Sequence, residues 1–297
     1  MRDYPSRIEV INATMKCLYG AGSSAGGIIA LADVVESVSQ FERSRIVRVI
    51  DDLVKNDIVD WEQKDQILKI NGNGKVLYAR DCVPEVVLGL PFCAWKYERA
   101  VVHVIVPGTD QDEAAGTGFF LDEPPGCLIT NLHVVERGRV LRIIDNKGDQ
   151  ICGETREITL HPNDQDLALV RCTTPPACLP LRIDWEEHDA VFPLDEVLIL
   201  GYPKIPMHLP TLMPSQAQVC AYAKQFSRDD RKSLILTKVG GPGSSGGPVI
   251  NSKGFVIGVV SAEPTAATQD GTVGTLLAAV PALYINDLLG GPLAEIR

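Results

Sequence analysis

The sequence predicts a mainly β chain behind a small α+β module, and three observations carry that prediction. From about residue 98 onward the apolar residues fall in short runs rich in Val, Ile and Thr, set apart by turns such as Pro107-Gly108, Pro124-Pro125-Gly126, Asn146-Lys147-Gly148 and Lys253-Gly254. Many short strands at that spacing make an all-β sandwich or a pair of barrels. In the first eighty residues, by contrast, apolar residues recur every three or four positions, the period of an amphipathic helix. Charge divides at the same place: residues 1–80 hold 11 Lys+Arg and 11 Asp+Glu, so the whole net charge of −10 falls in the remainder. A chain of 297 residues that is 45% hydrophobic has enough apolar material for more than one core, which excludes collagen, coiled coil and wholesale disorder.

Within the module, Ile8, Val10, Ile11, Met15 and Leu18 predict one helix and Ile28 to about Val38 a second. Ile46, Val49, Ile50, Leu53 and Val54 predict a third, with Ser39 and Glu42 spaced as a capping box at its start. The apolar stretches Ile58–Trp61 and Ile67–Ile70 flank a polar tip, Glu62-Gln63-Lys64-Asp65, as in a hairpin, and Asn71–Leu77 opens a closing helix. Three helices and a hairpin resemble a winged helix-turn-helix, which assigns residues 1–80 to one module. That resemblance implies DNA as a partner through residues 40–65, where Arg43, Arg45 and Arg48 would meet phosphates. Glu42, Asp51 and Asp52 on the same helix favour a solvated face instead. Asp81 to Lys96 carries two prolines and no clear period, so residues 81–97 are expected to be an exposed linker and the first site of proteolytic cutting.

The β region, 98–297, takes its strands from Ala100–Val106, Gly118–Leu121, Cys127–Thr130, Val140–Ile144, Leu167–Arg171, Val197–Gly201, Gln216–Ala221, Ser233–Thr237, Gly254–Ser261 and Thr275–Val280, followed by a helix-like Ala282–Leu289. Its acidity argues against bulk attraction to nucleic acid. The first residues lack an apolar run able to serve as a secretory h-region, and no stretch has the length of a membrane span, so a cytoplasmic protein without membrane contact is expected. Eight cysteines scattered through such a chain read as reduced thiols. Without a CxxC motif, and with no second pair or nearby His beside Cys172 and Cys178, they make no zinc site.

The chemistry concentrates in Gly240-Gly241-Pro242-Gly243-Ser244-Ser245-Gly246-Gly247-Pro248. Glycines around a serine let the backbone turn sharply and aim N–H groups beside a hydroxyl, as a nucleophile with an oxyanion hole requires. Such a serine needs a base, and the base an orienting group. Thr130-Asn131-Leu132-His133-Val134-Val135 sets a His just past a buried strand, and Asp166-Leu167-Ala168-Leu169-Val170 sets an Asp at a strand start.

His, Asp and Ser in that order and in those contexts resemble the chymotrypsin-like serine peptidases, and Gly116-Thr117-Gly118-Phe119-Phe120 is similar to their Deg/HtrA branch. The resemblance covers about residues 98–290. It implies two antiparallel β-barrels with the site between them and His133 as general base, Asp166 as orienting carboxylate and Ser245 as nucleophile. The N–H groups of Gly243 and Ser245 would form the oxyanion hole. It also implies a substrate pocket with Val239 as floor and Ser261, Ala262 and Leu277 as walls, which suits small or medium apolar side chains. No metal or cofactor is implied.

Two departures bear on regulation. Ser244 stands where secreted animal members have the Asp that receives a freed N-terminus, so activation by that ion pair is not expected. Only a few residues follow the peptidase region, and a PDZ domain is absent from them. Control by a protein partner, acting on a polar loop at Glu263–Gly274 or through the N-terminal module, is expected instead, in a setting such as a bacterial stress or defence system. The rival readings are a DNA-binding regulator whose peptidase region cleaves itself or a partner, and a non-catalytic scaffold. Asp164 competes with Asp166 for the orienting role, and the Asp-Leu-Ala-Leu context selects Asp166. His161 reads as a turn residue, and His103, His188 and His208 as surface or satisfied core residues.

Overall fold

The computed structural model describes residues 3–24, 28–106, 114–122, 124–135, 142–151, 155–163, 165–172, 178–185, 191–225, 228–237, 241–261 and 276–289. They form two compact units, residues 1–92 and 93–297.

The first unit runs α1 (Tyr4–Ser24), β1 (Ile28–Ala30), α2 (Leu31–Ser37), α3 (Arg43–Lys55), β2 (Val59–Glu62), β3 (Ile67–Ile70) and α4 (Gly72–Ala79). Its strands lie antiparallel in the order β1-β3-β2. Val10, Ile11, Met15 and Leu18 of α1 and Ile46, Val49, Ile50 and Leu53 of α3 are buried, which is the face the helical period marks out. Two local expectations fail. Ile28–Ala30 is an edge strand on β3 and not the start of a helix, because the β-branched pair Ile28-Ile29 finds ladder partners in Leu68 and Lys69. The capping box does not form: α3 starts after Glu42, whose side chain caps nothing and accepts from Ser44 Oγ at 2.7 Å.

The stretch expected to be an exposed linker is helical. Helices α5 (Val83–Leu88) and α6 (Leu90–Tyr97) occupy it, and Cys82, Val83, Pro84, Glu85, Phe92, Cys93 and Tyr97 are buried. Pro84 lies in the first turn of α5, where a missing N–H costs nothing, and Gly89 separates the helices at φ +72°. Neither helix is long enough to display a period.

The second unit contains two six-stranded systems. The first is an open antiparallel sheet of β4 (Val101–Val106), β5 (Ala114–Phe120), β6 (Cys127–Thr130), β7 (Arg142–Ile144), β8 (Thr155–Leu160) and β9 (Ala168–Cys172), in the order β7-β4-β5-β6-β9-β8. A single turn of helix, α7 (Leu132–Val135), leaves the end of β6. After the short β10 (Arg182–Ile183) come β11 (Glu196–Gly201), β12 (Met213–Gln225), β13 (Arg228–Thr237), β14 (Pro248–Ile250), β15 (Phe255–Val260) and β16 (Leu276–Pro281). These pair in the order β15-β14-β11-β12-β13-β16, and β16 pairs back onto β15, closing a barrel. Helix α8 (Leu283–Leu288) follows.

Val102, Val104, Phe120, Leu128 and Val170 fill the first core, and Val197, Ile199, Val219, Leu234, Leu236 and Ile257 the second. Every position of β4 is buried, so the strand has no solvent face. Its far side meets Tyr202, whose ring lies 5.3 Å from His103 and whose hydroxyl donates to Val101 O at 3.3 Å. The fold is therefore the trypsin-like double barrel, mainly β, with a helical segment ahead of it. Strand β8 escaped the sequence pattern because it is a partly exposed edge strand with little alternation.

Cys17, Cys82, Cys93, Cys127, Cys178 and Cys220 are free thiols, but Cys172 is disulfide-bonded, which corrects the reading of all eight as reduced. The eighth, Cys152, lies outside the described residues. Among the described residues no helix is long and apolar enough to cross a membrane, and no group of three or more His, Cys, Asp or Glu could hold a metal ion.

Candidate active site

Strand β6 ends at Thr130, and Asn131 turns the chain into α7. Val134 and Val135 are buried in the first core, so the helical turn directs His133 outward, leaving its side chain 44% exposed. Asp166 lies two residues before β9, and its main-chain oxygen accepts from Asn131 Nδ2 at 2.6 Å. Its carboxylate takes three donors. His133 Nδ1 lies 2.8 Å from Oδ2 and 3.0 Å from Oδ1, the His133 amide donates to Oδ1 at 3.1 Å, and Ser261 Oγ donates to Oδ2 at 2.7 Å.

Burial alone would push the Asp166 carboxyl up, but the bonds from His133 and Ser261 outweigh it and hold the group below the ordinary carboxylate range. An ionised carboxylate can only accept, so the proton between the two side chains sits on His133 Nδ1. In the neutral imidazole this tautomer leaves the lone pair on Nε2, the atom able to take a proton.

Ser245 lies on the loop before β14, and strand β5 runs beneath it. Thr117 N–H donates to Ser245 O at 2.8 Å, Thr117 Oγ1 donates to Gly243 O at 2.8 Å, and Tyr202 N–H donates to Thr117 Oγ1 at 2.9 Å. One threonine thus fastens both sides of the serine loop to the first sheet and to the end of β11. Gly246 pairs with Val260, one residue before the Ser261 that reaches Asp166. At φ +88° a Cβ on Gly246 would meet Thr117 O at 2.0 Å, so only glycine allows so close an approach.

Among the described residues, the N–H groups of Gly243 and Ser245 have no partner. Pro242 O accepts from Lys204 N–H at 2.6 Å, and the planar peptide therefore turns the Gly243 N–H away from Lys204. Ser244 is buried and packs on Gly201, leaving no carboxylate at that position. Among the described residues no hydrogen bond joins Ser245 Oγ to His133, a contact commonly long until substrate is bound.

Of the expected pocket residues, Val239 and Ala262 lie outside the described residues, as do Asp164, His188 and Glu263–Gly274. Ser261 directs its hydroxyl to Asp166. Leu277 is 5% exposed and packs in the second core with Leu234 and Leu236, so it does not present its side chain as a pocket wall. Strand alternation puts Ala278 on the opposite face, and its carbonyl accepts from Ser261 N–H at 3.0 Å. Asn131, Thr117 and Tyr202 have structural roles that residue type alone did not signal. Thr117 stood in a glycine-flanked motif whose closeness to another strand was the available clue.

Residues 116–259 match the family model of the trypsin-like peptidase domain. In sequence the chain is 28% identical over 153 residues to HhoB of Synechocystis sp. (strain ATCC 27184 / PCC 6803 / Kazusa), provisionally assigned as a serine protease, and spans 35% of that relative's length. In structure it is similar to the HtrA-type protease AlgW solved with a tripeptide, with a TM-score of 0.56, 15% identity, 70% of this chain covered and 64% of that one. It is also similar to Rv3671c from M. tuberculosis H37Rv in an inactive mutant form, with a TM-score of 0.51, 20% identity, and 69% and 92% covered. The likeness to these solved structures is one of fold. Together, sequence and fold show a match to the trypsin-like peptidase domain over residues 116–259 and a double-barrel fold like that of HtrA-type proteases.

Proposed function

We propose that the second unit is a serine endopeptidase acting through an acyl-enzyme. The observation that carries this is the His133–Asp166 pair: a carboxylate 2.8 Å from Nδ1 turns Nε2 outward on a half-exposed imidazole, and the adjacent Val134 and Ser245 O of the glycine-rich loop both lie against Gly116. In the proposed reaction Ser245 Oγ attacks the substrate carbonyl while its proton passes to His133 Nε2, and the oxyanion lies against the Gly243 and Ser245 N–H groups. The C–N bond breaks as His133 returns the proton to the leaving amine, and water then hydrolyses the ester by the same route. Asp166 orients the imidazole and offsets its transient charge.

A fluorophosphonate probe tests this. Wild type and S244A should be labelled and S245A should not; labelling that survives S245A would overturn the assignment. The sequence favours apolar residues of small or medium size before the cut, because Val239 brings no carboxylate for a cation. Dominant cleavage of a peptide library after Arg or Lys would refute that.

We further infer that the first unit is a winged-helix module, supported by its element order and its β1-β3-β2 sheet. Residues 40–65 carry five Lys and Arg against seven Asp and Glu, and Arg45 is engaged by Ser6 and lies 3.9 Å from Asp3, which favours a regulatory protein over DNA as its partner. A mobility shift with sheared DNA at low salt would reverse that preference. The Cys172 disulfide favours an oxidising compartment over the cytoplasm.

A further inference from the structure

His161 is used by none of the chemistry above, yet its side chain is wholly buried five residues ahead of Asp166. A turn histidine would ordinarily face water. Its Nδ1 accepts from the Asn163 N–H at 3.1 Å, which puts the ring proton on Nε2. Nε2 lies 3.0 Å from Tyr284 O and 3.5 Å from Asp287 Oδ2, both on α8. The segment it stands in is a closed turn: His161 N–H donates to Leu167 O at 3.3 Å, and Leu167 N–H to Gln165 O at 2.7 Å. The residue between those last two partners is Asp166. Helix α8 is in turn fixed to the closed barrel, because Tyr284 Oη accepts from Lys232 N–H at 3.1 Å.

From this we propose that His161 is a positioning residue for Asp166, tying the turn that carries the carboxylate to the C-terminal helix. Asp166 is then held from three sides. Asn131 holds its main chain, Ser261 its carboxylate, and His161 the turn itself. A Leu or Phe of similar bulk would fill the space and leave both the Asn163 N–H and the Tyr284 carbonyl without this partner. The proposal rests on the reading that Asp166, His133 and Ser245 act together, and it adds that α8 belongs to the support of that site.

Two substitutions separate the two bonds of the ring. In His161→Gln the side-chain amide reaches as far as Nε2 and can still donate to Tyr284 O. In His161→Asn the amide reaches only as far as Nδ1, so it can serve Asn163 but not α8. The readouts, on the full chain, are the low-field proton resonance of His133 Nδ1–H held against Asp166, and the kinetics of fluorophosphonate labelling.

H161A and H161N should broaden or lose the resonance and lower the maximal labelling rate about tenfold, as expected of a misplaced catalytic group. The half-saturating probe concentration should stay unchanged. H161Q should stay close to wild type. A folded H161N with the wild-type resonance and rate would overturn the proposal, as would an H161Q as impaired as H161N. If the resonance follows the expected pattern while the wild type is never labelled, the positioning role stands and the peptidase reading fails.

Discussion

Ser261→Ala removes one hydroxyl, and the arrangement around Asp166 fixes what that should do. The hydroxyl donates to Oδ2 at 2.7 Å, and the Asp166 side chain is 29% exposed. A hydrogen bond to an ionised group contributes about 1.5–3 kcal/mol. Water reaches part of this carboxylate and His133 keeps its hold, so the loss should lie at the lower end, about 1.5–2 kcal/mol.

Because the folded state depresses the Asp166 carboxyl, its contribution is fully present above the ordinary carboxylate range and is lost as pH falls through the depressed value. Removing one of the bonds that depress it shrinks that contribution. The gap in stability between parent and variant should therefore be full at neutral pH and close in acid. Thermal unfolding, recorded in an S245A background to prevent self-cleavage, should show the second unit melting lower by about 2–4 °C per kcal/mol at about pH 7. That difference should shrink as the pH falls below the ordinary carboxylate range and the carboxyl protonates. A gap that stayed constant with pH would mean that the hydroxyl stabilises by packing, and the electrostatic reasoning would fall.

Gly246→Ala would drive a methyl to 2.0 Å from Thr117 O and 2.5 Å from Thr130 Oγ1, two atoms already bonded to each other at 2.7 Å. It should cost roughly 3 kcal/mol or more and slow labelling of Ser245 by about a hundredfold, measured by urea unfolding and probe kinetics. Thr117→Val keeps the shape of the side chain but loses the acceptor for Tyr202 N–H and the donor to Gly243 O. A loss of about 1–3 kcal/mol with slowed labelling is expected, and Thr117→Ser should restore both. Native proteolysis followed by mass spectrometry should not cut first within residues 83–97, where buried helices stand in place of an open connector.

Much of the fold was legible where periodicity is strong. The four buried residues of α3 and the fully buried β6 follow directly from their apolar spacing. Short elements were not, because α5 and α6 have six and eight residues and too few turns to show a repeat. At the site, motif order pointed to His133, Asp166 and Ser245, which stand on the segments next to strands β6, β9 and β14. The roles of Thr117, Ser261 and Asn131 come from contacts between residues 13 to 126 positions apart, and chain-local pattern carries no record of such distances. Leu277 shows the same limit, since a shift of one residue in strand register exchanges a wall for a core.

The two six-stranded systems differ in one respect that reaches beyond architecture: one closes on itself and the other ends in β7 and β8. A closed ring has no strand whose amides can be exposed without breaking a neighbour's bonds, whereas an open sheet can fray from its margins. Ser245 and Ser261 are carried by the ring, and His133 and Asp166 by the open sheet. Partial opening should therefore silence the proton acceptor before it disturbs the nucleophile, and in amide exchange β8 should lose protection well ahead of β14 and β15.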